Sequence, residues 1–138
     1  MPAKQVSPTE LRLINWGMFN KLRGIPNLDM PSYIQIMSEY FKQDIFIEPN
    51  TEDAMYIDWV ISSLDMAGRG GFGDGDRHAY ILWLEFIERE RPRELKVQAF
   101  ESDYDRSICD RTYRRYVHKA IDMVNKWSSP LNVQRKAV

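Results

Sequence analysis

At 138 residues, 43% of them hydrophobic and 28% charged, the chain carries enough apolar material for one core of ordinary size, which argues against disorder. The formal net charge of −1 does not announce a nucleic-acid binder in bulk, so any such role depends on where the charges lie. The single cysteine, Cys109, excludes an intrachain disulfide and a cysteine-rich zinc site.

The opening residues, Met1-Pro2-Ala3-Lys4-Gln5, lack the apolar core of a signal peptide, and no apolar run approaches the ~20 residues of a membrane span. The expectation is a cytoplasmic protein with no membrane and no small-molecule substrate as partner. The fold class expected is mainly α: a compact helical domain containing a C-terminal helix-turn-helix. One domain covers 1–138, with N-terminal helices over 7–66, a glycine-rich loop over 67–77, a helix-turn-helix region over 78–127 and a flexible tail over 128–138.

Ser7-Pro8-Thr9-Glu10 is a helix start: Ser7 caps, Pro8 fits the first helical position and Glu10 completes a capping box. Leu11, Ile14, Met18 and Leu22 follow at helical spacing, Trp16 and Phe19 widen the stripe, and Gly24 and Pro26 close the helix. After a loop over 26–31, Tyr33 to Phe41 reads as a short helix with Ile34, Met37 and Phe41 inward. Residues 44–49 fit either a strand or an extended loop. Asn50 or Thr51 then caps a helix whose inner face is Ala54, Ile57, Val60, Ile61 and Leu64, with Glu52 and Asp53 at the positive end of its dipole.

That helix is expected to stop at Gly68, where Gly-Arg-Gly-Gly-Phe-Gly-Asp-Gly begins. Gly68, Gly70 and Gly73 formally satisfy GxGxxG. A dinucleotide site requires that pattern after a strand, and the carboxylates of Asp74 and Asp76 would repel phosphate. The segment reads instead as a flexible linker, or as a mobile element ordering on a partner through Arg69 and Phe72. Asp76 is the expected cap of the next helix, with Ala79, Leu82, Trp83, Phe86 and Ile87 inward, and Pro92 breaks it. A further helix over 93–100 turns Leu95 and Ala99 inward. A turn over 102–107 precedes the last helix, which Ser107 or Asp110 caps and which runs to about Trp127.

No catalytic or metal set assembles. The twelve-residue calcium pattern is missing around Asp74 and Asp76, and His78 and His118 lie far apart. Cys109 has no base partner in sequence, and the paired carboxylates sit on polar helix faces. A non-enzymatic protein without cofactor or metal is expected.

The last helix is different. Tyr113, Tyr116, Val117, Ala120 and Val124 make its inner stripe. Arg111, Thr112, Arg114, Arg115, His118 and Lys119 occupy the remaining surface, clustered toward the amino-terminal half, where a recognition helix meets base edges and phosphates of double-stranded DNA. The alternative is a solvated face with Asp110 and Asp122 as ion-pair partners. A preceding short helix and a turn favour the first reading, although that turn exceeds the three or four residues of the tightest units.

Three passages together resemble a known family. They are Leu11 to Gly17 with its Trp16-Gly17, followed by Pro31-Ser32-Tyr33; Glu52-Asp53-Ala54-Met55-Tyr56-Ile57-Asp58 with Leu64; and Asp110 to Ala120, which looks like the second helix of a sigma-region-four-like helix-turn-helix. In this order they resemble the Q-like antitermination proteins of lambdoid bacteriophages and prophages, and the ending resembles phage regulators of the ArpU type. Some Q proteins carry a zinc-binding cysteine cluster, which this chain lacks. The resemblance implies a factor that binds DNA near a late promoter, engages bacterial RNA polymerase with its sigma factor at a promoter-proximal pause, and suppresses pausing and termination. The carried-over DNA residues are Arg111, Thr112, Arg114, Arg115 and Lys119; on physical grounds alone, Arg69 and Phe72 are the expected polymerase contacts. Two rivals are a simple helix-turn-helix regulator, including a dimeric one, and a helical protein-interaction module with no DNA role.

Overall fold

The computed structural model describes residues 7–23, 50–104 and 107–128. The expected loop over 26–31, the helix around Tyr33, the segment over 44–49 and the tail beyond Ser128 lie outside the described residues. What is described is mainly helical: α1 (Pro8–Arg23), α2 (Thr51–Arg69), α3 (Gly75–Leu82) continued by a π turn (Trp83–Ile87), α4 (Arg93–Tyr104) and α5 (Asp110–Trp127).

Two helix starts follow the expected capping chemistry. The Glu10 N–H donates to Ser7 Oγ at 3.1 Å, and the Asp53 N–H donates to Asn50 Oδ1 at 3.0 Å, so Asn50 rather than Thr51 caps α2. Asp53 does more than complement a dipole. It is 2% exposed and receives Arg12 Nε and Nη2, the closest approach being 2.8 Å, which bolts α1 to α2 through a planar fork. Asn15 and Asn50 exchange two hydrogen bonds, side-chain amide to carbonyl at 2.7 Å and backbone N–H to side-chain oxygen at 2.9 Å. Trp16 Nε1 donates to Asp58 Oδ1 at 3.0 Å. These polar ties sit at the edge of one continuous apolar cluster that takes Leu13, Ile14, Trp16 and Met18 from α1 and Ile57, Ile61 and Leu64 from α2. The cluster adds Ile81 and Leu82 from α3, Leu84 and Phe86 from the π turn, Phe100 from α4, and Tyr113, Ala120 and Val124 from α5.

The glycine-rich stretch brings two helices together at close range. α2 continues through Gly68 to Arg69, and α3 begins at Gly75 with Asp74, not Asp76, as its N-cap. A Cβ on Gly75 would stand 2.0 Å from the Leu64 carbonyl oxygen, and one on Gly68 would stand 2.3 Å from the Asp76 nitrogen. Two helices therefore cross at backbone contact, which only glycine permits.

Helical phase also departs from expectation beyond Leu82. The Glu88 N–H donates to the Trp83 carbonyl at 3.0 Å, an i→i+5 bond that inserts an extra residue into the turn. The inward set becomes Ile81, Leu82, Leu84 and Phe86, while Trp83, expected inside, is 38% exposed and Ile87 is only half-buried. In α4 the expected face is wrong as well. Leu95 is 49% exposed, Ala99 is half-buried, and Lys96 and Phe100 are the buried residues. Lys96 can go inside because Glu85 and the Arg89 carbonyl receive its ammonium, at 3.9 and 3.3 Å. The helix also runs on through Ser102 and Asp103 to Tyr104, so the first part of the expected turn over 102–107 is helical, and its positions 105 and 106 lie outside the described residues.

Candidate nucleic-acid interface

α5 is positioned from three sides. Tyr113, Ala120 and Val124 are fully buried, and Ile121, Met123, Tyr116 and Val117 pack partly against the same core. Phe100 of α4 meets Tyr113 edge-on at 6.3 Å between ring centroids and Tyr116 at 5.4 Å. At the other end Thr9 of α1 donates its hydroxyl to Asn125 Oδ1 at 2.9 Å. Arg93 links α4 to the start of α5, with its guanidinium 5.3 Å from the centre of the Tyr113 ring and 3.5 Å from Asp110.

The N-cap of α5 is Cys109, not Ser107 or Asp110, and its side chain makes no capping bond. Its Sγ lies 3.3 Å from Thr112 Oγ1 instead, and this hydrogen bond, followed by backbone N–H groups, draws the thiol below its ordinary range. Thr112 is half-buried, and its hydroxyl is engaged by the thiol. The Arg111 and Thr112 N–H groups of the first turn lie toward this sulfur.

The six residues expected to touch DNA are divided by their partners. Arg111, Arg114, Arg115, His118 and Lys119 are all exposed on the arc opposite the buried stripe. Arg114 Nε is bound to Asp110 at 3.0 Å. His118 borders a shallow depression formed with Ser7, Pro8, Thr9, Ile121, Asp122 and Asn125, so the start of α1 flanks it. Arg111, Arg115 and Lys119 form no ion pair among the described residues, and no acidic residue falls between Arg111 and Lys119. Farther along, Asp122 is neutralised by Lys126 at 3.1 Å. Positive charge is thus concentrated on the amino-terminal half of the exposed face.

Arg69 and Phe72 belong to the α2–α3 turn. Arg69 is held by Asp65 at 2.9 Å, and Phe72 is 81% exposed. No hydrogen bond, ion pair or ring contact among the described residues joins either to α5. One surface was missed by reading the sequence for a single inner face: α2 also carries Met55, Trp59 and Met66, exposed by 59%, 64% and 72%, on the side away from its core stripe. Their spacing was the available signal. Among the described residues no three His, Cys, Asp or Glu side chains gather as a metal site, and no helix is long and apolar enough to cross a membrane. The chain matches no family model, no curated protein and no solved structure in the comparisons made.

Proposed function

We propose that the chain is a non-enzymatic transcription factor that binds double-stranded DNA through α5, with α4 and α5 as its helix-turn-helix, and that it acts as a phage-type antitermination factor on bacterial RNA polymerase. The observation that carries the DNA reading is the sorting of charge on α5. Among the described residues Arg111, Arg115 and Lys119 make no ion pair, and they project from one exposed arc on the amino-terminal half of α5. Guanidinium forks suit guanine edges and phosphates, and the ammonium suits phosphates. Unpaired cations give a larger gain on DNA than cations already neutralised, because no internal ion pair has to be broken first.

The antitermination step rests on the resemblance. Parts of its two upstream passages lie against each other, Trp16 donating to Asp58 and Arg12 gripping Asp53. In this reading the protein recognises a site near a late promoter, joins RNA polymerase with its sigma factor, and moves with the enzyme past terminators.

Runoff transcription through an intrinsic terminator, on a template carrying the cognate promoter, tests the whole reading. Readthrough is expected to rise when the protein is added and to return to background with Arg115→Ala. Unchanged readthrough alongside retained DNA binding would reduce the protein to a simple promoter regulator. Absence of DNA binding at low salt, with or without polymerase holoenzyme, would end both DNA readings.

A further inference from the structure

α2 is apolar on two opposite sides. Ala54, Ile57, Val60, Ile61 and Leu64 enter the core, whereas Glu52, Met55, Trp59, Ser62, Met66 and Arg69 form a second stripe in which every member is exposed. The second stripe advances by alternating steps of three and four residues, the a/d pattern of a two-helix seam. Its ends are oppositely charged, with Glu52 on the first turn and Arg69 on the last. We propose that this stripe is a homodimer seam, in which α2 of a second copy packs antiparallel about a twofold axis near the middle of the helix.

The pattern is complementary to itself in one orientation only. Reversing the partner helix about its midpoint places Glu52 opposite Arg69 of the partner subunit, Met55 opposite Met66 of the partner subunit, and Trp59 opposite Ser62 of the partner subunit. Each pair recurs with roles exchanged, as a twofold contact demands. The large indole faces the small hydroxymethyl group, the two methionines fill the intervening layer, and opposite charges close both ends. A parallel pairing would instead set Trp59 against Trp59, Glu52 against Glu52 and Arg69 against Arg69. Trp59 is already ordered for such a contact by stacking on Tyr56, with 6.2 Å between ring centroids. Arg69 keeps its own Asp65 while remaining 74% exposed, so it can receive Glu52 from outside. One helix of this length buries less than the ~1,600 Å² of a standard interface, so the association is concentration-dependent.

The inference does not rest on DNA binding, and its readout involves no DNA. The molar mass of the full chain is measured by sedimentation or light scattering from about 1 to several hundred micromolar, a range chosen to bracket weak association. The wild type is expected to shift from one to two chains, and Trp59→Glu is expected to stay at one throughout. Glu52→Arg and Arg69→Glu, each creating like-charge contacts, are expected to weaken association at least tenfold. The double variant E52R/R69E is expected to restore it. These positions are exposed, and circular dichroism melts are to check that each variant is folded. A wild type monomeric over the whole range overturns the proposal and leaves the stripe to a different partner. A dimer that survives Trp59→Glu, or charge variants that fail to rescue one another, overturns this seam.

Discussion

Glu85 shows how much of this molecule depends on a few buried charges. It lies in the π turn with its carboxylate 3.7 Å from Arg93 Nε and 3.9 Å from Lys96 Nζ, both on α4. Tyr113 of α5 is packed beside them, and burial first, then the Glu85 charge, holds its phenol far above the ordinary range. Burial likewise pulls Lys96 below its usual value against the opposing attraction of Glu85. Removing the carboxylate leaves Lys96 buried without its nearest anion, so Glu85→Ala should cost about 3 kcal/mol in urea unfolding. Adding Lys96→Met should recover most of that loss, because the stranded cation is gone; strictly additive losses in the double variant would refute the coupling. His78 provides a pH test at the same scale. It is 8% exposed with an unpartnered Nδ1, and burial lowers its pKa, helped by Lys119 and opposed by Asp74 and Asp76. The unfolded chain therefore binds the proton more readily than the folded one. Stability is complete above the unfolded value of 6.5 and declines as pH falls below it toward the lowered folded value. His78→Leu should flatten that acid limb between about pH 7.5 and 5.5 in thermal melts, and a variant with the wild-type slope would absolve this imidazole.

Among the elements, the α2–α3 junction makes the sharpest claim, since chemically identical substitutions should differ by position. Gly75→Ala and Gly68→Ala drive a methyl group into backbone atoms 2.0 and 2.3 Å away, so each should separate the helices and cost several kcal/mol. Gly70→Ala meets nothing closer than 3.5 Å and should fall within about 0.5 kcal/mol of wild type. Thermal melts of the three variants check this, and equal losses would mean that the crossing is not held at backbone contact. The sequence could not disclose the crossing, because glycine looks the same whether it is required by a neighbour or by flexibility. Two helix starts were legible, since the Ser7 and Asn50 caps act within one turn of themselves, whereas α3 and α5 start from Asp74 and Cys109, neither of which makes a side-chain capping bond. The core stripe of α2 was legible too, because all five expected residues point inward. Phase was lost where a tertiary event intervened. The i→i+5 bond at Trp83 rotates everything after it, and Lys96 is buried because Glu85 and a carbonyl wait for it from another element. The basic arc of α5 was visible by periodicity, and so were Asp110 and Asp122 as partners four residues before Arg114 and Lys126; the added link from Arg93 to Asp110 was not, because it joins different helices.

For the whole molecule, a net charge of −1 and the proposed DNA-binding role are compatible because its charges are spatially sorted. Many carboxylates are consumed internally: Asp53 by Arg12, Glu90 by Lys21, Glu85 by Arg93 and Lys96, and Asp122 by Lys126. Among the described residues, Arg111, Arg115 and Lys119 on the amino-terminal half of the exposed α5 face make no ion pair. Long-range repulsion from the remaining acids is screened beyond about 8 Å at physiological ionic strength, so a duplex seated on that face responds mainly to the local arc. The salt dependence of binding therefore counts the cations that reach phosphate. Each phosphate contact contributes about 0.9 to the slope of log K against log salt on duplex DNA. Arg115→Ala and Lys119→Ala should each lower the magnitude of that slope by about one such increment when the residue contacts phosphate. Arg114→Ala should lower it by less, because Arg114 must first leave Asp110, 3.0 Å away. Asp110→Asn then becomes the decisive companion. By releasing Arg114 it should raise affinity and restore a full increment to the Arg114→Ala difference. Gel-shift titrations over 50 to 200 mM salt, a range in which several phosphate contacts change affinity by orders of magnitude, would resolve these steps. Equal slopes for wild type, Arg115→Ala and Lys119→Ala would show that DNA does not sit on α5, whatever else the protein binds.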